Sequence, residues 1–186
     1  MEGRRGERGR GTKGGGRRTE KIVVLFICLE GTSMTYTNLF KEKNIVEDLQ
    51  AQEKRAVMEE MLDVAIARGL CPKSKRKVVL EGLLERERLG STGLGHGVAV
   101  PHVKVDGLQQ QVTLLARSKQ GVDFNAVDGE PVNIFFLLVS SKKDADEHLS
   151  VLQWISRLAR HQDFGSFVRN AKDSKEIYSI VKEFGG

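Results

Sequence analysis

The sequence is short of cysteine, proline and aromatic residues, and no long apolar run crosses it. Its 186 residues include two cysteines (Cys28 and Cys71), three prolines and one tryptophan. Two thiols cannot build a disulfide framework, and such sparse use fits a reducing compartment, so a cytoplasmic protein is expected. The longest apolar stretch, Ile22 to Leu29, has eight residues, against the roughly 20 that a helix needs to cross a bilayer. No membrane insertion is expected. Hydrophobic residues at 39% and charged residues at 30% exclude a collagen-like chain and a wholly disordered one.

Charge is unevenly placed. The formal charge is +5, but residues 1–20 hold seven basic and three acidic side chains, so +4 belongs to them and +1 to the other 166 residues. The same twenty residues contain seven glycines and almost nothing apolar, so they cannot bury enough surface to offset their ordering entropy. Residues 1–33 are therefore read as a disordered Arg/Gly-rich tail with a short apolar segment, and residues 34–186 as one domain. Basic residues before the apolar run faintly resemble a secretory signal, yet Glu30 to Ser33 makes a poor cleavage region, and Met34 is a second candidate start. The tail alone offers charge-driven, salt-sensitive attraction to nucleic acid. The body has no basic stripe interleaved with aromatics, so no specific nucleic-acid binding is expected.

From Met34 the chain carries regular patterning. Ala51 to Arg68 places Val57, Met61, Leu62, Val64 and Ala65 at helical spacing, with Gly69 as the stop. Pro72 opens a second helix whose stripe is Val78, Val79, Leu80, Leu83 and Leu84, ending at Gly90. A loop of glycines and hydroxyls then leads to Val98-Ala99-Val100, a short β-like run that breaks at Pro101-His102. Val112 to Arg117 reads as a strand, and Val132 to Val139 as one buried on both faces. Asp146 to Arg160 reads as a helix with Leu149, Leu152, Ile155, Leu158 and Ala159 on one side. Shorter helices follow over Ser166 to Ala171 and Ser174 to Phe184. Helices on both sides of a small mixed sheet give an α/β sandwich.

Four histidines are present: His96, His102, His148 and His161. His102 stands out because a rigid strand end presents it beside a loop with Gly90, Gly93, Gly95 and Gly97. Glycines let backbone approach a ligand closely, and their N–H groups can face an anion. An imidazole there suits a phosphoryl acceptor; a turn histidine after proline is the plain alternative. His96, His102 and His148 could also hold zinc as a set of three, but the six-residue spacing of His96 and His102 across a proline is not a standard ligand pattern.

The stretch from Leu83 through Glu85-Arg86-Glu87-Arg88 and Gly90-Ser-Thr-Gly-Leu-Gly-His-Gly97 to Pro101-His102 closely resembles the phosphorylation-site signature of enzyme IIA. This is the fructose/mannitol-type component of the phosphoenolpyruvate-dependent sugar phosphotransferase system, a group that includes nitrogen-related regulators. Asn44-Ile45-Val46, Gly121-Val122-Asp123-Phe124, the Val132–Val139 run and Asp146-Glu147-His148-Leu149 follow in the family's order. The resemblance implies the enzyme IIA mannitol/fructose-type fold. It implies that His102 accepts phosphate from an HPr-like phosphocarrier and passes it to an enzyme IIB domain, without metal or organic cofactor. Arg86 falls at the family's charge-stabilising arginine, and His148 at a histidine near the acceptor. His96 occupies a variable loop position. The residue after the acceptor is usually small, so Val103 is a departure expected to narrow access. Docking over His102 implies an exposed apolar patch, for which Leu94, Val98 and Val103 are candidates. The nitrogen-related branch offers the alternative that phosphorylation governs protein partners rather than sugar uptake.

Overall fold

The computed structural model describes residues 36–186, and the tail read over 1–33 lies outside them. A two-residue strand, Ile45–Val46 (β1), precedes two helices, Lys54–Ala67 (α1) and Arg76–Arg88 (α2). Three short strands follow, Gly93–Gly95 (β2), Val98–Ala99 (β3) and His102–Val105 (β4), then two long ones, Val112–Val122 (β5) and Val132–Ser141 (β6). The helices Ala145–Ala159 (α3), Phe164–Asn170 (α4) and Ser174–Gly185 (α5) complete the domain. No helix among the described residues is long and apolar enough to cross a membrane.

The six strands form one mixed sheet in the order β1-β5-β6-β3-β2, with β4 also on β6. The β5–β6 pair is antiparallel, whereas β1 runs parallel to β5, and β3 and β4 run parallel to β6. Along β6, Phe135, Leu137 and Val139 join the core under α1 and α2. Ile134, Phe136 and Leu138 join the core under α3, α4 and α5. This is why the run shows no polar alternation: both of its faces are covered. Each such side chain contributes about 1.5–3 kcal/mol of transfer free energy.

The strand read as ending at Val100 in fact resumes. Val98 pairs with Ile134, Ala99 with Phe135 and His102 with Leu138, so β3 and β4 keep one register across Val100-Pro101. Proline has no N–H to give the ladder, which interrupts the pairing for one step. Its carbonyl still accepts from Leu138 N at 3.0 Å, and β4 stays on the sheet.

Two stripe residues are corrected. Val78 of α2 is 46% exposed and Leu149 of α3 is 55% exposed. The buried positions of α2 are Val79, Leu80, Leu83 and Glu87, and in α3 His148 is buried beside Val151, Trp154 and Ile155. Arg117 of β5 is the largest of the fully buried side chains. It donates to Glu47 O (2.8 Å), Val168 O (3.1 Å) and Ala171 O, tying the carbonyl end of α4 to the sheet, where a cation is favoured.

Val103 has a partner in α2. A Cβ added at Gly82 would stand 2.6 Å from Val103 Cγ2, so the valine fills the notch that the glycine leaves. Alanine is about 1 kcal/mol better than glycine inside a helix, but valine is stiff at χ1 and overpacking costs about 1–3 kcal/mol. Gly82→Ala is therefore expected to lower the unfolding free energy by about 1 kcal/mol, and Val103→Ala to relieve it. A double-mutant cycle by urea denaturation checks this; additive effects would show that the two positions do not compete for space.

Candidate functional site

His102 opens β4 at an edge of the sheet, and its ring is oriented by the way that edge is finished. The outer side of β3 is covered by β2, and this cover ends where Val100 N donates to Thr92 O at 3.0 Å. The Val100 carbonyl lies just past it and sits 2.6 Å from His102 Nδ1. A carbonyl can only accept, so Nδ1 carries the ring proton and the lone pair of the neutral imidazole is on Nε2. Arg86 Nε donates to that Nε2 at 3.2 Å, while Arg86 Nη1 donates to Gly90 O at 2.9 Å. The guanidinium is thus anchored at the end of α2 with its fork turned toward the imidazole.

Burial favours the neutral form of both histidines of the site. Burial lowers the pKa of His102, helped by the Arg86 charge and opposed by the Val100 hydrogen bond. His148 is 4% exposed, and burial first, then the neighbouring His102, lowers its pKa to about 4. The two rings are 5.5 Å apart, centre to centre. His148 Nδ1 lies 2.6 Å from Ser140 Oγ. His102, Arg86 and His148 line one open groove together with Val103, Lys104 and Leu149. A neutral nucleophilic nitrogen flanked by a guanidinium and an exposed lysine is equipped to meet an anionic electrophile.

The family model for the phosphoenolpyruvate-dependent sugar phosphotransferase system, EIIA 2, matches residues 38–184. The chain belongs to this enzyme IIA family. It is 36% identical over 148 residues to a nitrogen regulatory protein of Bradyrhizobium diazoefficiens, covering 80% of this chain and 95% of that protein. It is 31% identical to the fructose-specific EIIA component of Haloferax volcanii, covering 70% of this chain and 83% of that one. Its fold is similar to that of nitrogen regulatory protein IIA-Ntr from Neisseria meningitidis, with TM-score 0.70 and 28% identity over 78% of this chain and 97% of that one. The expected mixed α/β sandwich is the fold of these proteins.

In this enzyme IIA, Arg86, His102 and His148 come together from α2, β4 and α3, but His96 does not join them. It lines a separate groove with Asp128, Asn133 and Arg169. There it holds φ +55°, with its N–H donating to Asp128 Oδ2 at 2.8 Å. The three histidines weighed as a metal set therefore do not converge. The expected docking patch is also corrected. Val98 is fully buried, and Leu94 packs on the core under α3 to α5. Of the three expected residues, Val103 does line the groove beside His102, and Leu149 and Leu152 of α3 supply the rest of its apolar surface.

Glu87 belongs to the support of the site, and the sequence reading passed over it. The IIA chain buries this carboxylate to 8% exposure. It accepts from Lys54 Nζ at 2.9 Å, from Thr92 N at 2.9 Å and from Thr92 Oγ1 at 2.6 Å. That fixes the turn between Arg86 and β2. The signal was present, since Glu87 lies four residues after Leu83 and so on the same helical face.

Proposed function

We propose that His102 takes up a phosphoryl group on Nε2 from an HPr-like phosphocarrier and passes it to an enzyme IIB. The observation that supports this best is the pair of hydrogen bonds on the His102 ring, Nδ1 to Val100 O at 2.6 Å and Arg86 Nε to Nε2 at 3.2 Å. The Val100 carbonyl puts the lone pair on Nε2, and burial keeps the ring neutral, so a nucleophile is ready near pH 7. As the carrier's phosphohistidine arrives, Arg86 exchanges Nε2 for the equatorial oxygens and keeps its hold on Gly90 O. The Nε2 lone pair forms the new N–P bond, and the electron pair of the broken N–P bond returns to the carrier's nitrogen. Charge spread over the three equatorial oxygens is what a guanidinium stabilises best. No metal or organic cofactor enters this scheme, and its setting is the cytoplasm.

A second outlet is favoured by the names of the relatives, since the Bradyrhizobium and Neisseria proteins are nitrogen regulatory proteins. There the phosphorylated and free forms of this chain would differ in which proteins they bind. Intact mass after incubation with phosphoenolpyruvate, enzyme I and HPr tests the shared step. One added phosphate is expected on the wild type and none on His102→Ala; phosphate persisting on His102→Ala would assign the acceptor elsewhere. Adding a fructose-type enzyme IIB then separates the outlets. Loss of the phosphate to it supports transport, and retention supports regulation.

A further inference from the structure

His148 and His102 are neighbours of one residue type, yet their Nδ1 atoms face different chemistry. His102 Nδ1 faces a carbonyl, Val100 O, and His148 Nδ1 faces a hydroxyl, Ser140 Oγ. Ser140 is fully buried in β6, and among the described residues its hydroxyl has His148 Nδ1 as its one hydrogen-bond partner. We propose that Ser140 is a positioning residue whose hydroxyl donates to His148 Nδ1, fixing the ring proton on Nε2 as a hydrogen-bond donor to the phosphoryl group on His102. This rests on the reading of His102 as the phosphoryl acceptor.

A neutral imidazole has one N–H and one lone pair, and a hydroxyl has one proton to give. If Nδ1 carried the proton, the Ser140 proton would have no acceptor in the interior, which buried polar groups avoid. With Ser140 donating, the His148 lone pair is consumed at Nδ1. Among the described residues His148 Nε2 has no hydrogen-bond partner and is not one of the sealed unpartnered atoms, and His148 lines the groove, so this nitrogen opens on it. The two rings thus hold opposite tautomers. His102 offers a lone pair at Nε2, and His148 offers a proton. On this reading the second histidine has no free lone pair at Nε2 with which to compete for the phosphoryl group. During transfer the carrier's N–P bond breaks with its electron pair leaving to the carrier, His102 Nε2 forms the new bond, and His148 keeps its proton throughout.

The test labels the full chain with 15N-histidine and reads the ring nitrogens by long-range proton–nitrogen correlation at neutral pH. In the wild type, His148 is expected to show a protonated Nε2 and an unprotonated Nδ1, and His102 the reverse. In Ser140→Ala the His148 nitrogens should move toward a tautomer average, while those of His102 stay. Ser140→Thr, which keeps the hydroxyl, should restore the wild-type pattern. The second arm phosphorylates the chain with phosphoramidate and follows intact mass. The half-life of the phosphorylated form should fall about tenfold in Ser140→Ala, the size of one lost hydrogen bond to a charged group. Adding His148→Gln, whose amide donates without help from position 140, should recover it. A wild-type His148 protonated on Nδ1 would overturn the proposal even if Ser140→Ala failed to fold, and so would unchanged His148 nitrogens in Ser140→Ala. A wild type that phosphoramidate modifies elsewhere than His102 would instead overturn the acceptor reading, and the tautomer spectra would still stand.

Discussion

Arg86→Ala is expected to slow phosphorylation of His102 by about 10²–10³-fold, the usual effect of deleting one preorganised donor at a site of developing charge. The guanidinium is well placed to act in this way because both of its contacts are local. One goes to the nucleophile at 3.2 Å and one to Gly90 O at 2.9 Å. Neither reaches the core, so the variant's unfolding free energy should stay within about 1 kcal/mol of wild type. Arg86→Lys restores the charge but not the planar fork, and a lysine cannot hold Gly90 O and a phosphoryl oxygen in fixed geometry. It should recover no more than about a tenth of the wild-type rate. Initial rates of mass gain with phosphorylated HPr measure both variants. An alanine variant within tenfold of wild type would remove Arg86 from transition-state stabilisation.

Acidification below about pH 6.5 is expected to destabilise the fold. The folded pKa of His148 is lowered to about 4 from the ordinary 6.5, and that of His102 is lowered as well. Between those values the unfolded chain binds a proton that the native chain refuses. Stability is therefore full above pH 6.5 and falls as the pH drops toward 4. For His148 alone the loss between pH 8 and pH 5 comes to about 2 kcal/mol, and His102 adds to it in the same direction. Urea denaturation across that range reads the slope directly. His148→Gln should flatten it, and an unchanged slope in that variant would mean that His148 is not the group that resists protonation.

Most of the architecture could be read from the chain because its strongest signals were unambiguous. The apolar run from Val132 to Val139 pointed to a strand with two covered faces, and Gly69 and Gly90 marked where α1 and α2 stop, whereas α2 begins at Arg76, one turn after Pro72. What escaped reading has physical causes. The strand β4 was hidden by Pro101, because a missing N–H looks like the end of a strand when the register across it cannot be seen. Val78 and Leu149 lie at the margins of their helical stripes, where periodicity does not decide whether a side chain turns in or out. Glu87 and Ser140 were passed over because a charge in a helix and a hydroxyl at a strand's exit normally mark solvent. His102 was singled out by the glycine loop beside it, and Arg86 only by the resemblance to enzyme IIA. The carbonyl and the hydroxyl that orient the two imidazoles are visible only in three dimensions.

The two cores on opposite faces of the sheet give the site a property that neither core has alone. Arg86 rides on α2, packed in one core, and His148 on α3, packed in the other, while His102 stands on the strand between them. Segments of a protein open locally at different free energies, so either layer can loosen while its opposite stays closed. Loosening of α2 withdraws the cation, and loosening of α3 withdraws the second ring. The site works as a two-key lock, whole only while both layers are shut. On the reading of His102 as the acceptor, its phosphorylation is expected to slow when either layer loosens, even with the sheet intact.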